Sequence, residues 1–441
     1  MTRNHRDLGP FSDLADFAAG LAPAGTDLAP AGTGLAPGGT SLGPGGTGVV
    51  AAGTDSAPAG ADLAPGGAGV GPAGTGVVPA GAGLASAGVG RLDAATARRI
   101  VGFDHDGTPG EPRVERRWSR DGLDGEEVSW SVGYGPRTRA WLLRPAGARG
   151  PLPGVLALHG HDAFKYHGKE KIADGPDGVP PGVDELRRAF YGGRPFADAI
   201  ARGGFTVLVP DVFLWGSRRF PAATMSGTAG PSPEDRWVAL EHDGGDPADL
   251  RWYNRLAARH EHVVAKYCAL LGTSLAGIAA FEDRVAAAYL RSRPDVRDGP
   301  IGCVGFSGGG CRAALLQATS PHVGAAVIAG MMSTHRALLD RHVAGHTWMF
   351  FPPDLPRAGD WPDLAAARAP SPLLVQYLRD DALFPLDGMR AAHERLAAHY
   401  RRAGAPDAYV GEFHPGPHRF DRDLQDSALD HLKRRLTEGN P

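Results

Sequence analysis

Ile301-Gly-Cys-Val-Gly-Phe-Ser-Gly-Gly-Gly-Cys-Arg-Ala-Ala-Leu-Leu316 joins one apolar run to another through the pattern Gly305-x-Ser307-x-Gly309. The first run reads as a buried strand and the last, rich in Ala and Leu, as a helix. A serine on so tight a strand-to-helix turn tolerates almost no side chain two residues before or after it. Glycines at 305 and 309 relieve that crowding and leave the hydroxyl exposed at the carboxyl edge of a sheet. A phosphate-cradling loop would want a Lys after its glycines, and none follows here. The segment therefore predicts a nucleophile elbow.

Working outward, four more apolar runs end in glycine or a turn: Gly154–Leu158, Phe205–Val209, Ala325–Ala329 and Leu373–Tyr377. Their apolar character is continuous rather than alternating, which predicts strands covered on both faces, as in a parallel sheet. Upstream, Val128, Trp130 and Val132 alternate with serines between Glu127 and Gly133. After the Gly135-Pro136 turn comes Arg139–Arg144, so the two read as an antiparallel hairpin. Helices are predicted over Phe196–Arg202, Ser274–Arg293, Met389–Arg402 and Leu424–Leu436, with a last short strand at Ala408–Val410. A hairpin followed by alternating strands and helices predicts an α/β fold, a mostly parallel sheet with an antiparallel N-terminal edge. Segments 161–195, 212–273 and 333–370 exceed ordinary connections and are candidates for the walls of a pocket.

The chain has 441 residues, but its first ninety are expected to build no core. From Leu21 to Gly90 run ten heptads close to Leu-Ala-Pro-Ala-Gly-Thr-Gly. Most carry a Pro and only one large apolar residue, and all carry a Gly mid-repeat, which argues against a coiled coil. The expectation is a disordered tail over 1–90 and a catalytic domain over 91–441. The net charge of −3, a pI near 6.6 and intermingled signs give no basic stripe for nucleic acid or an anionic membrane. No apolar run reaches the roughly eighteen residues of a membrane span. Met1–Gly20 carries Asp7, Asp13 and Asp16 and no secretory core, and the three cysteines follow no metal spacing. A reducing, cytoplasmic setting is the default expectation, with Cys303 and Cys311 as small core residues.

A serine hydroxyl needs a base within hydrogen-bond reach and a group that orients that base. With the elbow first, the acid and then the histidine should follow, each on a loop after a strand. Asp380 and Asp381 follow the strand at Tyr377, and Asp381 is favoured because Asp-x-x-x-Pro385 matches the usual acid loop. Asp380 is expected to face solvent or pair with Arg379. Of His414 and His418, which follow the last strand, His418 is favoured as the base, after a Gly-Pro bend and two residues before Phe420. An oxyanion hole requires two backbone N–H groups. Gly308 supplies one, and the loop His159-Gly-His-Asp162 the other, through the amide of His161. His159, His161, Asp162 and His167 could alternatively be metal ligands, but no coherent ligand set is visible, so neither metal nor cofactor is expected. His260-Glu261-His262 reads as solvated helix surface, and Asp211 as an organiser of its own loop.

These segments together resemble a known family. His159-Gly-His-Asp162, Pro210-Asp211 through Arg218, Arg284 through Pro294, Gly305-Phe-Ser-Gly-Gly309, Asp360-Trp-Pro-Asp-Leu364 with Ala369-Pro-Ser-Pro-Leu373, Asp381-x-Leu-Phe-Pro385 and His418-x-Phe420 look like the α/β-hydrolase superfamily. They are most similar to its dienelactone-hydrolase-like and acetyl-xylan-esterase-like branch, over residues 125–437. Dienelactone hydrolases proper use a Cys nucleophile where this chain has Ser307, which turns the expectation toward ordinary carboxylic esters. The Gly usual before the acid is replaced by Leu378-Arg379. The resemblance thus implies a serine esterase acting on a small or medium acyl ester, a small-molecule substrate. An aminopeptidase or oligopeptidase of the same fold, and a catalytically silent binding domain, are the alternatives.

Overall fold

The computed structural model describes residues 7–20, 92–225 and 247–437. Its strands are β1 (Gly110–Arg120), β2 (Leu123–Ser131), β3 (Thr138–Pro145), β4 (Gly154–Leu158), β5 (Thr206–Pro210), β6 (Ile301–Phe306), β7 (Val323–Ala329), β8 (Leu373–Leu378) and β9 (Tyr409–His414). Among the described residues they form one sheet in the order β1-β2-β3-β5-β4-β6-β7-β8-β9. The β2–β3 pair is the expected hairpin, with Glu127 opposite Trp141 and Ser129 opposite Arg139. β3 runs antiparallel to β5, and every pair from β5 to β9 is parallel.

The apolar runs became central strands because both faces of the sheet are covered. Successive strand residues point to opposite faces, and here both sets are buried. Leu156, Leu158, Ile301 and Cys303 enter one core, while Val155, Ala157, Val304 and Phe306 enter the other. Phe196–Arg202, Leu386–Arg402 and Arg422–Leu436 are helical, close to the expected bounds. The Leu275–Arg291 helix starts where Ser274 caps it, its hydroxyl accepting the Gly277 N–H at 3.0 Å. The parallel register sets up the site. Leu158 lies beside Gly305, Phe306 beside Ala329 and Leu378 beside His414, so the loops after β4, β6, β8 and β9 leave one edge together.

Two expectations need correction. β1 lies outside the sequence-derived set because it is charged and almost wholly exposed, carrying Arg113, Glu115, Arg116 and Arg117. Such a strand has no apolar pattern to read, yet its charges suit an edge that must not pair with other chains. The other concerns the boundary at residue 90. Asp7–Gly20 packs on the folded body, with Leu8, Phe11 and Leu14 fully buried. Phe11 sits 4.9 Å from the Phe213 ring and 4.7 Å from that of Phe220, and the Arg218 guanidinium lies 5.1 Å from its centroid. Asp13 accepts the Gly135 N–H at 3.0 Å, and Phe17 reaches Tyr134 at 4.9 Å. Leu8, Phe11, Leu14 and Phe17 recur every third residue, a helical stripe that the adjoining repeats obscured. The heptads of 21–90, read as disordered, lie outside the described residues.

Candidate active site

Ser307 follows β6 with φ +55° and ψ −118°, a conformation that side chains other than glycine rarely adopt. Its amide donates to Ala329 O at 2.9 Å, and its carbonyl accepts Cys311 N–H at 2.9 Å, so neighbours on both sides hold the turn. A Cβ at Gly305 would collide with the backbone of Gly309, and one at Gly309 with the carbonyl of Leu158. The two glycines are therefore required by close backbone approach. Ser307 occupies the N-cap position of the Gly308–Thr319 helix without a capping bond from its side chain, which places the residue at the positive end of the helix dipole.

The loops after β8 and β9 bring the other two predicted residues to it. His418 Nε2 lies 2.8 Å from Ser307 Oγ, and His418 Nδ1 lies 2.6 Å from Asp381 Oδ2. An ionised carboxylate only accepts hydrogen bonds, so Nδ1 carries the proton and Nε2 is left to accept from the serine hydroxyl. Asp381 Oδ1 accepts Leu383 N–H at 2.8 Å, fixing the carboxylate within its own loop. The His418 ring rests 4.6 Å from the Phe306 ring. Asp380 faces solvent, one of the two outcomes expected for it, and has a further role. It accepts Gly416 N–H at 2.7 Å, tying the acid loop to the histidine loop. His414 turns away to Glu412, at 3.1 Å.

The loop after β4 lies against the elbow. A Cβ on Gly308 would come within 2.6 Å of the His161 amide nitrogen, so the two predicted oxyanion donors are backbone neighbours. Among the described residues neither amide donates to another protein group. Buried side chains hold this loop. Lys171 pairs with Asp162 at 3.0 Å and donates to the Gly160 carbonyl, while Tyr191 donates to Asp162 at 3.2 Å. The residues weighed as metal ligands are dispersed among these tasks. His159 is buried with its Nδ1 3.1 Å from Gly160 O, His161 bonds Glu261, and His167 faces Glu170 at 3.9 Å. Asp211 organises its loop as expected, accepting Lys169 N–H at 2.8 Å, Lys169 Nζ at 2.9 Å and Ser217 N–H at 2.9 Å.

No family model matches the chain. It superposes on the glucuronoyl esterase of Solibacter usitatus with a TM-score of 0.51 and 15% identity, over 78% of this chain and 90% of that one. A provisionally assigned acetyl xylan esterase of Bacteroides fragilis gives 0.50 and 18%, over 70% of each chain. The chain has the α/β-hydrolase fold. Among curated proteins, the provisionally named hydrolase YtaP of Bacillus subtilis (strain 168) is 23% identical over 271 residues, 61% of this chain and 74% of that protein.

Within this α/β-hydrolase fold the serine, the histidine and both unused amides open onto one cavity of about 260 Å³. Its lining is mostly apolar, with Phe190, Met331, Phe350, Leu383 and Phe384 beside Thr347 and His346. Phe190, His346, Thr347 and Phe350 come from two of the long connections read as candidate walls, whereas Met331 follows β7 and Leu383 and Phe384 belong to the acid loop after β8. Burial against Phe350 and Phe384 holds the His346 imidazole down at about 4, so this wall stays uncharged at neutral pH.

The expectation for residues 260–262 is overturned. His260 and Glu261 are buried, and only His262 faces outward, accepting from Trp348 Nε1 at 2.8 Å. Glu261 shares a helix face with Tyr253, Ala257, Val264 and Cys268, all buried, on the Pro247–Leu270 helix. That stripe is a signal present in the sequence. Its acidic member reads as surface only when taken alone.

Proposed function

We propose that this chain is a serine esterase, hydrolysing small or medium acyl esters through an acyl-enzyme. The observation that carries it is the chain of contacts Ser307 Oγ to His418 Nε2 to Asp381, ending at a cavity onto which two unused amides open. Ser307 Oγ bonds to the acyl carbon as its proton passes to His418 Nε2. The carbonyl electron pair moves onto oxygen, where the Gly308 and His161 N–H groups receive the charge. Asp381 keeps the imidazole in the required tautomer and stabilises its protonated form. The pair returns, the bond to the alcohol breaks, and His418 hands its proton to the leaving oxygen. Water then gives a proton to His418 and attacks the acyl carbon. Ser307 departs with that proton and the acid is released.

An apolar cavity of this size suits an acyl group of few carbons. The names of the structural neighbours, an acetyl xylan esterase and a glucuronoyl esterase, support an ester as substrate class. The test is a fluorophosphonate probe together with turnover of p-nitrophenyl acetate. Wild type should be labelled at Ser307 and hydrolyse the ester; Ser307→Ala should do neither. A wild type that resists the probe and leaves a panel of acyl esters intact overturns the reading.

A further inference from the structure

The steps above make no use of the buried pair Lys165–Glu261. Both side chains are almost wholly enclosed, the ammonium sits on the carboxylate, and Lys165 also donates to Ala257 O at 3.3 Å. A buried ion pair adds little to stability over a well-packed apolar pair, so stability alone does not account for a carboxylate here. Its bonds point to another role. Oε2 faces Lys165 and the His161 ring, whose Nε2 lies 3.2 Å away. Oε1 accepts Thr347 Oγ1–H at 2.6 Å and Trp348 N–H at 2.8 Å. One carboxylate thus joins the loop that carries the His161 amide to the cavity wall at Thr347.

The His161 ring is held at both nitrogens. Ala163 N–H donates to Nδ1 at 3.1 Å, so the ring proton sits on Nε2 and is donated to Glu261. Burial works against the Glu261 charge, but the Lys165 ammonium and the His161 hydrogen bond outweigh it and hold the carboxyl well below its ordinary range.

We propose that Glu261 is a positioning residue for acyl transfer, holding the His161 amide on the oxyanion and the Thr347 wall against the acyl group in one fixed arrangement. This rests on the esterase reading of the same site. An oxyanion donor acts through its placement in the transition state, and a misplacement of about 1 Å can cost roughly 100-fold. The effect belongs in kcat.

Glu261→Gln keeps the shape, but its one remaining oxygen cannot serve both pairs of donors. With p-nitrophenyl acetate, its kcat should fall about 10- to 100-fold while KM moves less than about threefold. The rate of fluorophosphonate labelling at Ser307 should fall in parallel. Glu261→Gln with Lys165→Met removes the stranded ammonium, so the double variant should regain most of the lost thermal midpoint and none of the lost kcat. A Glu261→Gln protein with kcat within about threefold of wild type overturns the proposal. So does a double variant in which kcat and thermal midpoint recover together, the signature of a structural role. A wild type that hydrolyses no ester overturns the esterase reading and this one with it, whereas an active wild type indifferent to Glu261→Gln overturns this one alone.

Discussion

Asp380 and Asp381 are adjacent carboxylates separated in role by one bond each. Asp381 faces the His418 ring at 2.6 Å, and Asp380 faces a backbone amide at 2.7 Å. Asp381→Asn can present an N–H to the imidazole, favouring the tautomer that cannot accept the serine proton. Its kcat on p-nitrophenyl acetate should fall by about 10³- to 10⁴-fold. Asp380→Asn retains an oxygen for Gly416 N–H and should stay within about tenfold of wild type. Comparable losses in the two variants would undo the assignment. The three residues brought together here were legible because their order and loop spacing are set by the chemistry, which tolerates little variation. Glu261 was not, because its partner Lys165 lies 96 residues away and its meaning depends on that pairing. A sequence shows the carboxylate without showing what neutralises it.

At the scale of elements, strands buried on both faces announce themselves through unbroken apolar runs, whereas β1 does not. Its contribution is an edge, and the charges that make it a good edge erase the pattern by which strands are found. The helix behind the serine was legible too, but its anchorage was not. Arg312 on that helix pairs with Asp283 through two bonds of 2.9 and 2.6 Å, both side chains fully enclosed. It also donates to His159 O at 3.3 Å and Pro210 O at 3.4 Å, so one guanidinium ties the elbow helix to the ends of β4 and β5. Arg312→Leu leaves a buried carboxylate alone and should cost about 3–5 kcal/mol in a urea unfolding experiment. Adding Asp283→Leu should restore much of that loss, because two apolar groups replace two charges. If the single substitution moves the midpoint no further than the double, the pair does not anchor the helix.

For the whole molecule, the consequential feature is that the chain enters the folded body before the repeats begin. Leu8, Phe11 and Leu14 are enclosed by the same core that holds Phe213, Phe220 and Tyr134. The chain then passes through the heptads and rejoins that body by Leu92, which is also buried. Residues 1–20 and the repeats should therefore respond differently to deletion. Burying one large apolar side chain stabilises by about 1.5–3 kcal/mol. Removing residues 1–20 withdraws three such side chains and uncovers the aromatic shell around Arg218. Its thermal midpoint should drop, and dye binding to exposed apolar surface should rise. Excising 23–88 and closing the gap with about twenty Gly/Ser residues, a linker of roughly 25 Å root-mean-square span, keeps those contacts. That variant should melt within a few degrees of wild type and turn over p-nitrophenyl acetate at the wild-type rate. If the excision destabilises as strongly as the loss of residues 1–20, the heptads themselves contribute to the fold. If neither change moves the midpoint, the N-terminal segment does not stabilise the body on which it packs.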